Sequence, residues 1–259
     1  MSKLSDISIL LRTFLRDDKL FNSIAAIKRN MPELHMIIVD DGEITEEKDG
    51  VYADLIREGH TIILLPFDSG FGAKSNAGIQ ALVRPYILIS SDDFNHNSGS
   101  VKVGIEKMLA VLDRNPELGV VSGRVNDRAY EFLFVDEGHT ITEWVARPFI
   151  AQFYQGWYPV DLTVNYSLIR KRVFEKVKWD DDVKIGGGEH GAFFLDLKRA
   201  NFKVGFVPGV NIDQQLGRDS ERYQSFRNRA RGPERLCFER RGIRKYVLGN
   251  GQVDYERKD

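Results

Sequence analysis

The sequence predicts an α/β protein in which a mostly parallel β-sheet is flanked by helices. Short apolar runs of strand length alternate with amphipathic stretches of helical length over the first 90 residues. Several of the apolar runs end abruptly at polar, mostly acidic residues. A helix between two strands of one sheet implies parallel pairing with a right-handed crossover, so this alternation predicts a doubly layered α/β core.

The first half of the chain gives the clearest elements. Residues 17–30 place Leu20, Ile24 and Ile27 at spacings of four and three, as an amphipathic helix does, and Pro32 then breaks that helix. The apolar run 86–89 has the length and composition of a strand that is buried on both faces. In order, we predict strands over 7–11, 35–39, 61–65 and 86–89, and helices over 17–30, part of 43–59, 73–82 and 101–115.

The second half is less periodic. We predict a short strand at 120–121, strands over 160–169 and 202–208, a short helix over 170–177 and a helix that begins near residue 189. Residues 126–159 are rich in aromatic side chains, which favours a second layer of core. From residue 217 onward basic residues outnumber acidic ones, and aromatic residues lie between them. We therefore predict a domain over 1–215, with a nucleotide-binding half (1–98) and an acceptor half (99–215), and a basic helical extension over 216–259.

Composition excludes some classes of protein. The chain has 259 residues, a formal net charge of −1 and one cysteine, Cys237, so no intramolecular disulfide can form. The balanced charge does not favour nucleic acid as a partner. No run of about 18 apolar residues is present, and the N-terminus is polar, so we expect a cytoplasmic protein.

Polar side chains follow the predicted strands at the end where ligands of parallel sheets bind. Thr13, Asp41, Asp68 and the adjacent pair Asp92 and Asp93 each follow one of the apolar runs. Two neighbouring carboxylates repel each other unless a cation lies beside them, and a divalent metal between the carboxylates and a phosphate would serve. An ordinary strand-to-loop turn is the alternative, because Asp and Ser are common turn residues.

A second candidate site is the glycine-rich segment 186–191. Its glycines, Gly188 among them, allow the backbone to approach a ligand closely, and Glu189 and His190 follow directly. A carboxylate and an imidazole can each take a proton as a general base. His190 as base, Glu189 as base with His190 orienting the bound molecule, and His190 as a helix cap all remain open.

The order of these motifs resembles that of nucleotide-sugar glycosyltransferases with the GT-A (Rossmann-like) fold, family 2 in particular, which are inverting enzymes. The similarity covers roughly residues 5–215, and details also resemble the β-1,4-N-acetylgalactosaminyltransferases. It rests on Thr13 after the first strand and on four segments, VDDG (39–42), DSGFGAKSNAG (68–78), SSDDF (90–94) and WDDDVKIGGGEHGAFF (179–194).

The resemblance implies roles for individual residues. The last Asp of the DxD motif, here Asp93, would bind Mn²⁺ or Mg²⁺, and the family's base lies at a pair matched by Glu189 and His190. The family commonly uses a further His after the last strand as metal ligand, but residues 210–215 contain none, so Asp213 or Gln215 would have to supply an oxygen. The positions that would bind the nucleotide sugar are Thr13, Arg16, Asp41, Asp68, Lys74, Ser91, Asp92 and Gly188.

The implied function is a metal-dependent, inverting transfer of a sugar from a UDP-sugar to a glycan or lipid-linked acceptor. Trp144, Trp157, Tyr158 and Trp179 are candidates for stacking on the acceptor, with core packing as the alternative for each. A nucleotidyltransferase of similar fold would carry glycines directly after the first strand, and residues 12–16 have none. A catalytically silent nucleotide- or sugar-binding module remains the other alternative. The basic tail either packs back on the domain or contacts phosphates or a membrane surface.

Overall fold

The computed structural model describes residues 2–126, 131–146, 156–183, 188–228 and 236–257. In chain order its strands are β1 (Ile7–Thr13), β2 (His35–Asp40), β3 (Thr61–Leu64), β4 (Tyr86–Ser91), β5 (Leu118–Val125), β6 (Phe132–Asp136), β7 (Thr140–Val145), β8 (Tyr158–Val160), β9 (Ser167–Arg170), β10 (Lys203–Ile212), β11 (Lys245–Val247) and β12 (Val253–Glu256). Its α-helices are α1 (Asp17–Asn30), α2 (Glu46–Arg57), α3 (Phe71–Gln80), α4 (Gly99–Arg114), α5 (Glu189–Arg199), α6 (Glu221–Arg227) and α7 (Leu236–Glu239).

An eight-stranded sheet forms the centre, in the order β3-β2-β1-β4-β9-β5-β10-β8. The pairs β2–β3, β1–β2, β1–β4 and β5–β10 are parallel, whereas β9 runs antiparallel to both β4 and β5, and β8 is antiparallel to β10. This arrangement confirms the predicted mixed, mostly parallel α/β fold.

Burial of β1 on both faces explains its uninterrupted apolar sequence. Every residue of β1 is buried, and alternate side chains enter different cores: Leu10 packs in one, and Ile9 and Leu11 in the other. The helix α1 covers the second of these cores with Leu20, Ile24 and Ile27, as its spacing predicts. The parallel register places the ends of β1, β2 and β4 at one edge of the sheet, where Thr13 lies opposite Asp40.

A second sheet has four strands in the order β12-β11-β7-β6. The extension over 216–259 was predicted to be helical, and the two strands that it contributes to this sheet show that this prediction is wrong in part. Within residues 236–257, one short helix is followed by two strands, and β11 pairs in parallel with β7. Apolar and polar contacts fix this return of the chain: the rings of Phe238 and Tyr246 stack at 4.4 Å, and the Tyr246 hydroxyl donates to Glu143 at 2.7 Å. The tail is thus partly built into the layer that the aromatic residues of 126–159 were predicted to form.

The predicted strand over 160–169 is wrong in its middle. The chain leaves the sheet after β8 and re-enters it at β9, and between them Leu162 forms an isolated bridge to Phe132 of the second sheet. The run looks continuous in sequence because apolar residues alternate with Asp161, Thr163, Asn165 and Ser167, which is the period of a half-buried strand. No helix in the described parts of the chain is long and apolar enough to span a bilayer.

Candidate functional site

The first cluster at the sheet edge is built around Asp41, directly after β2. Its side chain is 1% exposed, and its Oδ1 lies 2.5 Å from the Lys74 Nζ. The Gly70 N–H donates to Asp41 Oδ2 at 2.8 Å, and Lys74 also donates to the Thr13 carbonyl oxygen at 3.2 Å. Burial raises the pKa of Asp41, although Lys74 and the Gly70 N–H oppose it.

Three of the predicted nucleotide-binding residues, Thr13, Asp41 and Lys74, are therefore in direct contact. Asp68 joins them through its backbone, since its N–H donates to the Asp41 carbonyl oxygen at 2.9 Å. Asp68 adopts a left-handed backbone conformation (φ 56°), a conformation that Asp tolerates better than most residues. The loop 66–70 is thereby folded over the end of β2.

The second cluster joins Asp92 and Asp93 to Arg16. Asp92 is fully buried, and the Arg16 guanidinium donates to both of its carboxylate oxygens, with Nε to Oδ2 at 3.2 Å. The same guanidinium donates to Asp93 Oδ2 at 3.0 Å. Burial raises the pKa of Asp92, with Arg16 opposing it. For Asp93, burial pushes the pKa up, but Arg16 and Lys19 outweigh that and hold it below its usual value.

Hydrogen bonds from neighbouring segments hold the backbone of this acidic pair. Ser23 and the Gln215 carboxamide each donate to the Asp92 carbonyl oxygen at 2.9 Å, and the Gln215 N–H donates to the Asp93 carbonyl oxygen at 2.6 Å. The Ser91 hydroxyl donates to Asp92 Oδ1 at 3.3 Å. The position of both carboxylates is therefore fixed by α1 and by the chain after β10.

The donor set around Asp93 does not fit a resident divalent metal. The predicted ligand Asp213 is exposed, and its carboxylate accepts from Asn211 at 2.9 Å. The side chain that reaches Asp93 is instead Gln214, whose Nε2 donates to Asp93 Oδ2 at 3.1 Å. Across the described ranges no three His, Cys, Asp or Glu side chains converge in the way a metal site requires. The predicted pairing of Asp93 with Asp213 as metal ligands is not formed.

The third cluster is at the start of α5. Gly188 is the residue before the helix and has a left-handed backbone conformation (φ 80°), which glycine adopts without strain. Glu189 is the first helical residue and is 9% exposed. The His190 Nε2 contacts the carbonyl oxygen of Thr163, which can only accept, so Nε2 carries the proton. Burial lowers the pKa of His190 to about 4.

Arg12, on β1, lies within reach of the charges of the second and third clusters, and it was not among the predicted site residues. Its side chain is buried, donates to Ser75 Oγ at 3.0 Å, and lies over the Phe71 ring at 4.0 Å. Burial lowers its pKa to about 10, opposed by the charges of Asp92, Glu189 and Asp93. The charges of both clusters thus act on one buried cation. A charged residue inside an apolar strand, ISILLRT, is the signal that would have identified it.

The helix α6 forms a further wall of the site. Its Phe226 ring packs against Phe14 at 5.2 Å and against Phe67 at 5.4 Å, and Tyr223 stacks on the Arg16 guanidinium at 4.6 Å. The alternation of aromatic and basic residues in the tail is the sequence signal that could have identified this wall. Four of the tail's basic residues in the described ranges, Arg222, Arg240, Arg241 and Lys245, each form an ion pair with an acidic side chain.

The aromatic candidates for acceptor stacking differ in exposure. Trp179 is 5% exposed and stacks on Phe193 at a centroid distance of 3.7 Å, and Tyr158 is also buried. Trp157 is half-buried and packs near Gly205. Trp144 on β7 is 62% exposed. Core packing therefore accounts for Tyr158 and Trp179, and Trp144 is the one whose ring is open to solvent.

Solved structures with a similar fold support the architecture. A crystal structure of GalNAc-T7 with UDP, GalNAc and Mn²⁺ matches 81% of this chain and 44% of that chain with a TM-score of 0.61 at 12% identity. A structure of S. aureus TarS, residues 1–349, matches 81% of this chain and 60% of that chain with a TM-score of 0.55 at 11% identity. At these identities the likeness shows the fold, which is that of GT-A glycosyltransferases.

Sequence relatives point to one family. The β-1,4 N-acetylgalactosaminyltransferase 2 of Mus musculus is 28% identical over 214 residues, and the β-1,4 N-acetylgalactosaminyltransferase 1 of Homo sapiens is 27% identical over 220. These alignments cover 81% and 80% of this chain but only 39% and 38% of the relatives. The family model of Glycosyl transferase family 2 matches residues 8–178, more than half of the chain. The chain therefore belongs to glycosyl transferase family 2.

Proposed function

We propose that this chain transfers a sugar from a UDP-sugar to a hydroxyl group of a glycan or lipid-linked acceptor, with inversion at the anomeric carbon. The observation that carries the proposal is that the carboxylates of the second and third clusters act on one buried cation. Asp92 and Asp93 follow β4, Glu189 lies at the start of α5, and the charges of all three oppose the lowering of the pKa of the buried Arg12. Ring contacts from Arg12 to Phe71, from Phe71 to Trp179 and from Trp179 to Phe193 of α5 join the two clusters. We expect a donor bound by the first pair to present its sugar toward Glu189.

The cluster around Asp41 suits the nucleotide end of the donor. A buried carboxylate and an ammonium group offer both a hydrogen-bond acceptor and a donor for a base and a ribose. Polar groups that are few and fixed in position are typical of small-molecule sites.

The chemistry is one displacement at the anomeric carbon. The acceptor oxygen forms a bond to the anomeric carbon as its proton passes to a base. The bond from the anomeric carbon to the β-phosphate oxygen breaks, and its electron pair leaves with UDP. Because the acceptor attacks from the face opposite the leaving group, the configuration inverts.

Glu189 is the better candidate for the base, and His190 for positioning the acceptor. At neutral pH a His190 with a pKa of about 4 is an uncharged ring and a weak base. Its Nε2 is engaged with Thr163, and in the described part of the chain its buried Nδ1 has no hydrogen-bond partner. Nδ1 therefore carries a lone pair that can accept from a second hydroxyl of the acceptor, while the Glu189 carboxylate takes the proton of the attacking hydroxyl.

UDP-N-acetylgalactosamine is the first donor to test. The two relatives described above are named as N-acetylgalactosaminyltransferases, and the GalNAc-T7 structure holds UDP, GalNAc and Mn²⁺. Dependence on Mn²⁺ or Mg²⁺, which the family resemblance predicts, enters as a variable of the experiment. The donor set around Asp93 does not fit the metal, so no step above depends on it.

The test is a screen of UDP-sugars, each with Mn²⁺ and with EDTA, for thermal stabilisation and for released UDP. We expect one UDP-N-acetylhexosamine to stabilise the protein and to be turned over, with an anomerically inverted product by NMR. Glu189→Gln should bind UDP as well as the parent protein does and lose about 100- to 10,000-fold in transfer rate, the usual contribution of a general base.

Glu58→Gln is the matched control, because Glu58 is an exposed carboxylate paired with Lys28 and lies outside the three clusters. It should leave both UDP binding and transfer unchanged. Full transfer activity in Glu189→Gln would remove Glu189 as the base. UDP binding with no turnover of any UDP-sugar would favour the silent binding module instead.

A further inference from the structure

We propose that Arg16 is the cation of the donor diphosphate site and that the donor nucleotide binds without a divalent metal. This inference rests on the proposed function. Both carboxylates that would hold a metal are ion-paired with the Arg16 guanidinium, which is itself 10% exposed. The guanidinium therefore lies where a metal would have to bind.

The hydrogen bonds around Gln214 exclude it as an oxygen ligand. Its backbone N–H donates to the Asn126 Oδ1 at 2.7 Å, so the other end of the Asn126 amide is the donor that meets Gln214 Oε1 at 2.7 Å. The Gln214 oxygen is thereby turned toward Asn126, and its Nε2 toward Asp93. Asp93 thus meets an NH₂ group where a metal site would provide a second oxygen or an imidazole.

Arg16 is held in place from two sides and keeps donors for a phosphate. Asp92 and Asp93 accept three of its five N–H groups, and the Tyr223 ring covers one face of the guanidinium. Two N–H groups remain that are not used by the acidic pair. A planar guanidinium with two N–H groups matches the geometry of phosphate oxygens.

The Asp219 carboxylate partly neutralises the positive charge that a donor would meet at Arg16. Asp219 lies 3.9 Å from Arg16 and 2.7 Å from the Lys19 Nζ, which places two cations around one carboxylate. A diphosphate that binds here competes with Asp219 for both. Removing this charge should therefore strengthen UDP binding.

In the transfer step the electron pair of the broken bond remains on the β-phosphate oxygen of UDP, and Arg16 faces that growing negative charge. The acceptor proton passes to Glu189, and no further reactant is required. Arg16 thereby takes the part that a Lewis acid would otherwise take.

The experiment compares UDP binding by calorimetry in excess EDTA and in excess Mn²⁺. We expect the two affinities to agree within about two-fold, given that Arg16 supplies the charge. In Asp219→Asn the affinity for UDP should rise by about two- to five-fold, the range of a partly exposed ion pair. In Arg16→Met it should fall by about 10- to 100-fold, as for a lost charge-assisted hydrogen bond.

Direct Mn²⁺ binding, followed by loss of the free-ion EPR signal, completes the test. Compared with Mn²⁺ and UDP alone, adding the parent protein should leave the signal unchanged, and adding Arg16→Met should reduce it further, because the acidic pair is then open to the metal. Arg16→Lys retains a cation, so it keeps the fold if Arg16→Met does not, and it should still bind UDP in EDTA.

UDP binding that requires Mn²⁺, or that strengthens at least ten-fold with it, overturns the role of Arg16 and leaves the proposed transfer intact. Unchanged or weaker UDP binding in Asp219→Asn also overturns it. Absence of UDP binding in both EDTA and Mn²⁺ overturns the proposed function together with this inference.

Discussion

Lys74→Met should destabilise the protein far more than the same change at Lys28. Lys74 and Lys28 each place Nζ 2.5 Å from a carboxylate oxygen, of Asp41 and Glu58 respectively. The Lys74 and Asp41 side chains are 10% and 1% exposed, whereas Lys28 and Glu58 are 43% and 42% exposed. At equal distance, the two pairs therefore differ in burial.

The expected magnitudes follow from that difference. Breaking a buried pair leaves an uncompensated charge and costs about 3–5 kcal/mol, whereas an exposed pair contributes about 0–1 kcal/mol. Against a typical total stability of about 5–15 kcal/mol, the loss of Lys74 is large. Asp41→Asn should recover much of it in the double variant, because the buried charge is then gone.

Urea denaturation at neutral pH measures both pairs. Burial already raises the pKa of Asp41 above its ordinary 3.8, and removing Lys74 raises it further, so protonation favours the folded variant. The destabilisation of Lys74→Met should therefore be complete at neutral pH and shrink as the pH falls through that raised pKa. Equal costs for Lys74→Met and Lys28→Met, or additive effects of Lys74→Met and Asp41→Asn, would refute the reasoning.

Three further predictions concern the rest of the fold. In Gly72→Ala the new methyl group would lie 1.8 Å from the Asp180 carbonyl oxygen, so the free energy of unfolding measured in urea should fall by about 1–3 kcal/mol. In Gly50→Ala no atom lies within 4 Å of the new methyl group, so the same free energy should rise by about 0.5–1 kcal/mol. Equal effects of the two changes would contradict the packing. Burial lowers the pKa of His96 to about 4 from 6.5. The unfolded state therefore binds the proton first, so the free energy of unfolding should fall by about 3 kcal/mol as the pH falls from about 6.5 to about 4. His96→Gln should reduce this dependence on pH, and an unchanged dependence would contradict the prediction. Tyr223→Ala should detach α6 and speed tryptic cleavage within it, and an unchanged digestion pattern would show that the ring is not what holds the helix.

The sequence predicts well which polar residues lie together at one edge of the central sheet, and the reason is physical. Parallel strands end at the same edge, so Thr13, Asp41 and Asp92 had to lie near one another once β1, β2 and β4 paired. The apolar runs also set the core, since a strand buried on both faces tolerates few polar residues. Residues 68–74 follow β3 and lead into α3, so they could be assigned to the same edge once α3 was predicted to follow β3.

The contacts that decide the chemistry could not be predicted from the sequence. Gln214 reaches Asp93 across 121 residues of chain, and its amide orientation depends on Asn126. The family resemblance predicted Asp213 or Gln215 as the oxygen ligand, but the chain after β10 presents Gln214 to Asp93. Arg16 was predicted to bind the donor, while its bond to both carboxylates became visible only in three dimensions.

The short strands near the C-terminus and the bend near residue 162 were not predicted, for a related reason. β11 and β12 are only 3 and 4 residues long; β11 is stabilised by pairing with β7, about 100 residues earlier, and β12 by pairing with β11. The bend between β8 and β9 depends on the bridge from Leu162 to Phe132. Local propensity carries no information about either contact.

The packing of α6 against the first helix and loop has a consequence for biosynthesis. The ion pair between Lys19 and Asp219 joins residues 200 positions apart, and Phe226 covers a ring that follows the very first strand. A ribosome releases those partners many seconds apart. Until the later one emerges, Phe14 and Phe67, whose rings contact each other, lack the cover of Phe226 and leave an apolar surface to which chaperones can bind. A nascent chain stalled before residue 219 should therefore bind a hydrophobic dye or a chaperone that the finished protein does not.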